Sequence, residues 1–255
     1  MKLGVAAFIS ICVALLGAAL RAQDRFPATG GDVVITPVIH SSVQIEHAGK
    51  VIQVDPWSVG DLSHLKPADL IVITDDVGHH LDVKAIAALR KPGAPIVIAG
   101  NGKSRVPDGV VLANGESKTV AGYRIEAIPA YDLKPGDPYH PKGEANGYIL
   151  TVGGRRIYFA GVTECVPEIR ALKGIDVAFF PMNVPLERME PGAAIECLKV
   201  LRPKVVYPYH YDQEWVRPVP AGGTRPAPST RGLKELSDAL SRQKIEVRLA
   251  NWYPQ

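Results

Sequence analysis

Within seven consecutive residues, Thr74-Asp75-Asp76-Val77-Gly78-His79-His80, the chain sets two carboxylates beside two imidazoles. Carboxylates and imidazoles move protons and ligate divalent metals, so a loop that holds both is the first place to look for chemistry. A third imidazole, His210, stands between Tyr209 and Tyr211, and two more, His40 and His140, occur in turn-forming surroundings. Neither Ser nor Cys stands in a recognisable nucleophile motif, so water is the expected nucleophile of any hydrolysis. The plainer reading of the same residues is structural, with His79 and His80 as polar loop residues hydrogen-bonded to Asp75 and Asp76. Both readings stand on the residues alone. His47 and His64 sit in turns and receive no role, and Asp55, in Asp55-Pro56-Trp57, is expected to support a loop.

The elements that must position these residues are short. Runs rich in Val, Ile and Thr at 33–38, 42–49, 50–57, 70–74 and 95–100 read as strands, with a hairpin turn at His47-Ala48-Gly49-Lys50. A second β-rich stretch spans 117–161, with Gly153-Gly154 as its clearest hairpin turn. Helices are predicted over about 82–90, 167–173, 191–201 and 230–243, the last three alternating with strands at 176–181, 204–210 and 245–250. The stretch 216–232, rich in Pro and Gly, is a loop that could form a rim or lid. Such alternation implies paired sheets with helices outside.

A chain of 255 residues, 46% hydrophobic and 22% charged, is globular in composition, which excludes a disordered tail, a collagen-like repeat and a coiled coil. Its net charge of +3 without a basic run implies no nucleic-acid partner. Residues 1–22 contain no acid; Lys2 precedes an apolar run from Leu3 to Leu20, and small residues cluster at Ala18, Ala19 and Ala22. That layout predicts a secretory signal peptide, one mature domain over 23–255, and a periplasmic or secreted protein with no stable membrane association after cleavage. An uncleaved membrane anchor is the alternative. Cys165 and Cys197 then remain, either paired or as two separate buried thiols.

In chain order the motifs are His40-Ser41-Ser42, Val54-Asp55-Pro56-Trp57, Ile71-Val72-Ile73-Thr74, His80-Leu81-Asp82, Pro129-Ala130-Tyr131, His140-Pro141-Lys142-Gly143, Tyr158-Phe159-Ala160-Gly161 and Tyr207-Pro208-Tyr209-His210-Tyr211. This order resembles the metallo-β-lactamase superfamily, and within it the branch similar to L-ascorbate-6-phosphate lactonase, over roughly 33–249. The resemblance implies an α/β fold, a four-layer αββα sandwich, with a small-molecule site on loops at one edge of the sheets. Against the family pattern Thr-His-x-His-x-Asp-His, this chain has Asp75 and Val77 for the two leading histidines, His79 for the aspartate, and His80 retained. The family's Gly-Asp-Thr, whose aspartate bridges two metals, reads Gly161-Val162-Thr163.

Valine offers no donor atom, so the resemblance implies at most one divalent ion, zinc or manganese, held by His79, His80 and His210. Asp75 or Asp76 would serve as base or as an orienting group, with Asp75 alternatively a fourth ligand. Three imidazoles with an open position suit a catalytic zinc, which brings the pKa of bound water to about 7. Around the substrate the resemblance sets His40 as a loop buttress near the site and Asp132 as a rim residue or a weak ligand. His140 falls at the pocket mouth or on the surface, and Tyr209 on a pocket wall or in the core. The expected function is hydrolysis of an ester, lactone or phosphodiester by metal-activated water. The alternative is a metal-free periplasmic binding protein using the same cleft, whose walls Val77 and Val162 would make more apolar. Relatives of this branch often assemble, and an oligomer is open here.

Overall fold

The structure, a computed structural model, describes residues 23–134, 140–184 and 187–253. The predicted signal peptide at 1–22 lies outside the described residues. Fourteen strands form two seven-stranded sheets among the described residues. The first sheet runs in chain order: β1 (Asp24–Phe26), β2 (Val33–Ile39), β3 (Ser42–His47), β4 (Lys50–Val54), β5 (Leu70–Val72), β6 (Ile96–Ile98) and β7 (Val110–Val111). Its pairings are antiparallel as far as β4 and parallel from β4 to β7.

The second sheet repeats this plan with β8 (Ser117–Val120), β9 (Tyr123–Ala130), β10 (Ala145–Val152), β11 (Arg155–Phe159), β12 (Val177–Pro181), β13 (Val205–Tyr209) and β14 (Glu246–Val247). It is antiparallel to β11 and parallel beyond.

Period-two alternation sorts the side chains into layers, because successive residues of a strand face opposite sides. In β5, Leu70 and Val72 join the core between the sheets, whereas Ile71 packs outward with Ile73. In β6, Val97 faces the inter-sheet core, and Ile96 and Ile98 face out. The outward set is covered by α1 (Val83–Leu89) through Ile86. Asp82 starts that helix, its carboxylate accepting from the Lys84 and Ala85 amides at 2.9 and 3.4 Å.

On the far face, α2 (Pro167–Ala171), α3 (Pro191–Leu201) and α4 (Leu233–Ser241) bury Ile169, Ile195, Leu198, Leu236 and Leu240 against the second sheet. The four-layer αββα expectation is met. The sequence reading overextended the last strand, predicted over 245–250 and formed only by Glu246–Val247, and it missed β1 and β7.

Strands covered on both faces are apolar throughout, as in β2 (VVITPVI) and β12 (VAFFP). Close strand approach requires Gly147, where a Cβ would lie 2.8 Å from the backbone oxygens of Phe159 and Ala160. Cys165 and Cys197 form a disulfide with Cα atoms 5.7 Å apart, which ties the segment before α2 to α3. Both alternatives for these cysteines had been open, and pairing is the one found.

Candidate metal centre

Four histidines meet at one edge of the sandwich, and each leaves the carboxyl end of a strand or the loop after it. His40 follows β2, His79 and His80 end the loop after β5, and His210 follows β13. Three backbones at this edge adopt left-handed angles that side-chain-bearing residues avoid: His40 at φ 52°, Asp55 at φ 43° and His210 at φ 51°. Each such residue costs on the order of 1–3 kcal/mol, and such strain gathers where a site needs a side chain aimed. The two histidine turns brace each other, the His210 amide donating to the His40 carbonyl at 3.2 Å.

His40, His79 and His210 each offer a ring nitrogen, and these atoms all lie within 4.8 Å of one another. The His40 and His210 ring centroids are 3.8 Å apart, His40 and His79 5.0 Å, and His79 and His210 5.4 Å. His80 closes the group, its Nε2 lying 3.1 Å from His210 Nε2. The ligand set expected from sequence was His79, His80 and His210; the structure brings those three together and adds His40, expected only as a buttress.

Each fully buried imidazole is gripped through Nδ1. His80 Nδ1 lies 2.7 Å from Asp55 Oδ2, His210 Nδ1 2.6 Å from the Gln213 side-chain amide, and His40 Nδ1 2.8 Å from the Tyr253 hydroxyl. The Gln213 amide can present its oxygen or its NH2 there. Metal-bound histidines are held in the same way, the outer nitrogen fixed while the inner one ligates.

Asp55 is itself fixed: Thr74 donates to it from its amide at 2.8 Å and from its hydroxyl at 2.6 Å. Asp55, expected from sequence only to support a loop, thus also grips His80, and the structural reading in which Asp75 or Asp76 bonds the histidine pair gives way, because the carboxylate that His80 meets is Asp55.

Charge follows burial. Removal from water drives the His40 and His210 pKa values well below the ordinary histidine range, and neighbouring imidazoles add to this. Burial, then His80, pushes His79 down to about 3. His80 is also penalised by burial, yet the Asp55 carboxylate outweighs that and raises its pKa. Three imidazoles are thus neutral at pH 7, the form that ligates metal.

These residues fit a divalent ion. His40 Nε2 is buried without a hydrogen-bond partner among the described residues. Zinc–nitrogen bonds of about 2.0–2.1 Å in tetrahedral geometry space their donors about 3.3 Å apart, a separation within the 4.8 Å span of the His40, His79 and His210 nitrogens.

Beside this cluster lies a second buried polar chain. The Asp75 carboxylate accepts from Asn101 Nδ2 at 2.8 Å and pairs with His140 Nε2 at 3.3 Å. Burial opposes its ionisation, but the His140 hydrogen bond and the His80 charge prevail and lower its pKa to about 2. His140 Nδ1 approaches Asp132 at 3.7 Å, and Asp132 pairs with Arg188 at 3.3 Å.

His140 is thus buried rather than on the surface, and the Asp132 side chain is fully buried rather than on a rim, with His140 lying between Asp75 and Asp132, and Asp132 between His140 and Arg188. Asp76 is half-buried, and its carboxylate makes no hydrogen bond or ion pair to the four histidines among the described residues. Tyr209 lies in the core and not on a pocket wall, its hydroxyl accepting from the Gly161 amide at 2.8 Å. Val162 is likewise buried.

A model of the β-lactamase superfamily domain matches residues 34–210, from the second strand to the closing histidine. The chain belongs to the metallo-β-lactamase superfamily. It is 31% identical over 199 residues to a UPF0173 metal-dependent hydrolase of Aeropyrum pernix, covering 69% of this chain and 81% of that protein. A crystal structure from Parabacteroides distasonis, of a protein assigned to metal-dependent hydrolases, superposes with a TM-score of 0.79 at 36% identity, over 92% of this chain and 100% of that one. Igni18, a metallo hydrolase of Ignicoccus hospitalis, shares the superfamily fold at 24% identity and a TM-score of 0.65, over 85% of this chain and 94% of that one.

Sequence reasoning missed Gln213, Asn101, Arg188 and Tyr253. Asn101 and Gln213 carry no motif. Tyr253 stands 213 positions from the histidine it holds, so no local pattern could have joined them.

Proposed function

We propose that this protein is an exported hydrolase that uses one divalent ion, with zinc favoured, to cleave an ester, lactone or phosphodiester. The observation that carries this reading is the convergence of His40, His79 and His210 on one point, with His80 adjoining. All-imidazole donors favour zinc over manganese, which prefers carboxylate and water oxygens. Such an ion, when bound, supplies a water with a pKa near 7 and a counter-charge for a developing oxyanion.

The protein's own groups do the rest. Asp55, Gln213 and Tyr253 hold the imidazoles of His80, His210 and His40, and His79 is the half-buried member of the group. Asp75, ionised and braced by Asn101 and His140, is the carboxylate of this loop able to take a proton from the attacking water. Val77 and Val162 stand where the superfamily pattern has a histidine and the bridging aspartate, which supports one ion rather than two. The Cys165–Cys197 disulfide supports export, since such bonds persist in oxidising compartments. The match of hydrolase relatives to 69% and 92% of this chain supports hydrolysis as the reaction class.

A second reading has its own observation. His80 Nε2 and His210 Nε2 are close enough for one N–H···N hydrogen bond, which satisfies both without a metal, as a metal-free binding protein of this fold would require. Elemental analysis of the purified chain after zinc or manganese loading separates the two. About one ion per chain, lost in His40→Ala and in His210→Ala, is the expected result. No bound ion in wild type would overturn the hydrolase reading and leave the binding protein.

A further inference from the structure

The last described residues of the chain, Trp252 and Tyr253, run back into the site. Trp252 is fully buried and packs near Phe179 and Tyr209, with ring centroids 6.1 Å away in each case. Its carbonyl accepts from the His40 amide at 3.1 Å, so the tail fixes the backbone of the strained His40 turn. Tyr253, 2% exposed, packs against Tyr211 and Trp215 and accepts from the Asp212 amide at 3.1 Å. The same hydroxyl lies 2.8 Å from His40 Nδ1. His40 is thereby held twice by one dipeptide, once through its backbone and once through its ring.

We propose that Tyr253 is a positioning residue of the histidine centre, acting through His40. This inference rests on the metal-centre reading above. The argument lies in what a phenol can do. A neutral imidazole carries its proton on one nitrogen and a lone pair on the other. When His40 gives its Nε2 lone pair to a cation, Nδ1 carries the proton and needs an acceptor. When Nε2 carries the proton, Nδ1 needs a donor.

A hydroxyl serves both states by turning its hydrogen, while its oxygen continues to accept from Asp212. The other fully buried imidazoles have different partners: a carboxylate, which can only accept when ionised, for His80, and a side-chain amide for His210. The phenol is thus the partner that can meet His40 Nδ1 in either tautomer, as the centre empties or fills. Phenylalanine in its place keeps the ring packing and serves neither state.

The test is zinc affinity of the full-length mature protein, measured by competition with a chromogenic chelator, with melting of the metal-free form as a check on folding. Tyr253→Phe is expected to weaken zinc binding about 10–100-fold, the usual effect of removing a partner behind a ligand. Tyr211→Phe removes a neighbouring phenol from the same aromatic cluster and is expected to leave affinity unchanged.

Affinity within about a factor of two of wild type for Tyr253→Phe, or an equal loss in Tyr211→Phe, would overturn the proposal while leaving the metal centre intact. Failure of the wild type to bind zinc would overturn the metal centre and this inference with it.

Discussion

Asp75 shows how far a residue's neighbours decide its chemistry. Its carboxylate is 5% exposed and by burial alone would resist ionisation, yet the His140 hydrogen bond and the His80 charge turn it into a firm anion with a pKa of about 2. A carboxyl whose pKa falls on folding adds stability above its unfolded value near 3.8, and that stability is lost as the pH drops toward the folded value. The difference amounts to roughly 2 kcal/mol.

Urea unfolding of the metal-free protein between about pH 4 and pH 2 should therefore show a steeper loss in wild type than in Asp75→Asn. Equal slopes would mean that the His140 contact does not hold the charge. At this scale the sequence displayed the reactive types but not their pairing. His79, His80 and His210 stood out as imidazoles in suggestive places. That Asp55 rather than Asp75 grips His80, and that His40 joins the group, depends on left-handed turns at His40 and Asp55. No local pattern announces such turns in residues other than glycine.

At the scale of elements, legibility tracked length and burial. α3 is found where the sequence predicted it, Pro191–Leu201, because proline at its first turn and Pro203 just beyond its end mark both limits. Strands buried on both faces were visible as apolar runs, whereas β1 and β7, three and two residues long, have no room for a pattern.

The disulfide belongs to this scale, because it joins two elements that the core alone must otherwise hold together. It spans 32 positions, from the loop before α2 to the middle of α3, and Cys197 is 1% exposed. Closing a loop of that length in the unfolded chain is worth about 3–4 kcal/mol on the chain-entropy account. Cys165→Ser with Cys197→Ala should lower stability by that order while sparing zinc uptake, since neither cysteine touches the histidines. Equal urea midpoints for the oxidised wild type and the double variant would count against a structural role for the bond.

Across the whole molecule, the centre sits where the two sheets meet. His40 and His79 come from the first sheet and His210 from the second, so an ion shared by them would link the halves of the sandwich. The superfamily fold places donors there because strands of both sheets end at one edge, and the chain need only turn each imidazole inward. Binding of this kind stabilises the folded state in proportion to ligand excess, about 2.7 kcal/mol at one hundred times the dissociation constant.

For a domain of this size, each kcal/mol moves the melting midpoint by roughly 2–4 °C. Saturating zinc should therefore raise the midpoint of the chelator-treated protein by about 5–10 °C, with the gain absent from His210→Ala, whose remaining ligands all lie on one sheet. A shift preserved in His210→Ala would place the ion within the first sheet alone. No shift in wild type would mean that the four imidazoles serve one another, and the cleft above them would then have to be read as a place for ligands rather than for catalysis.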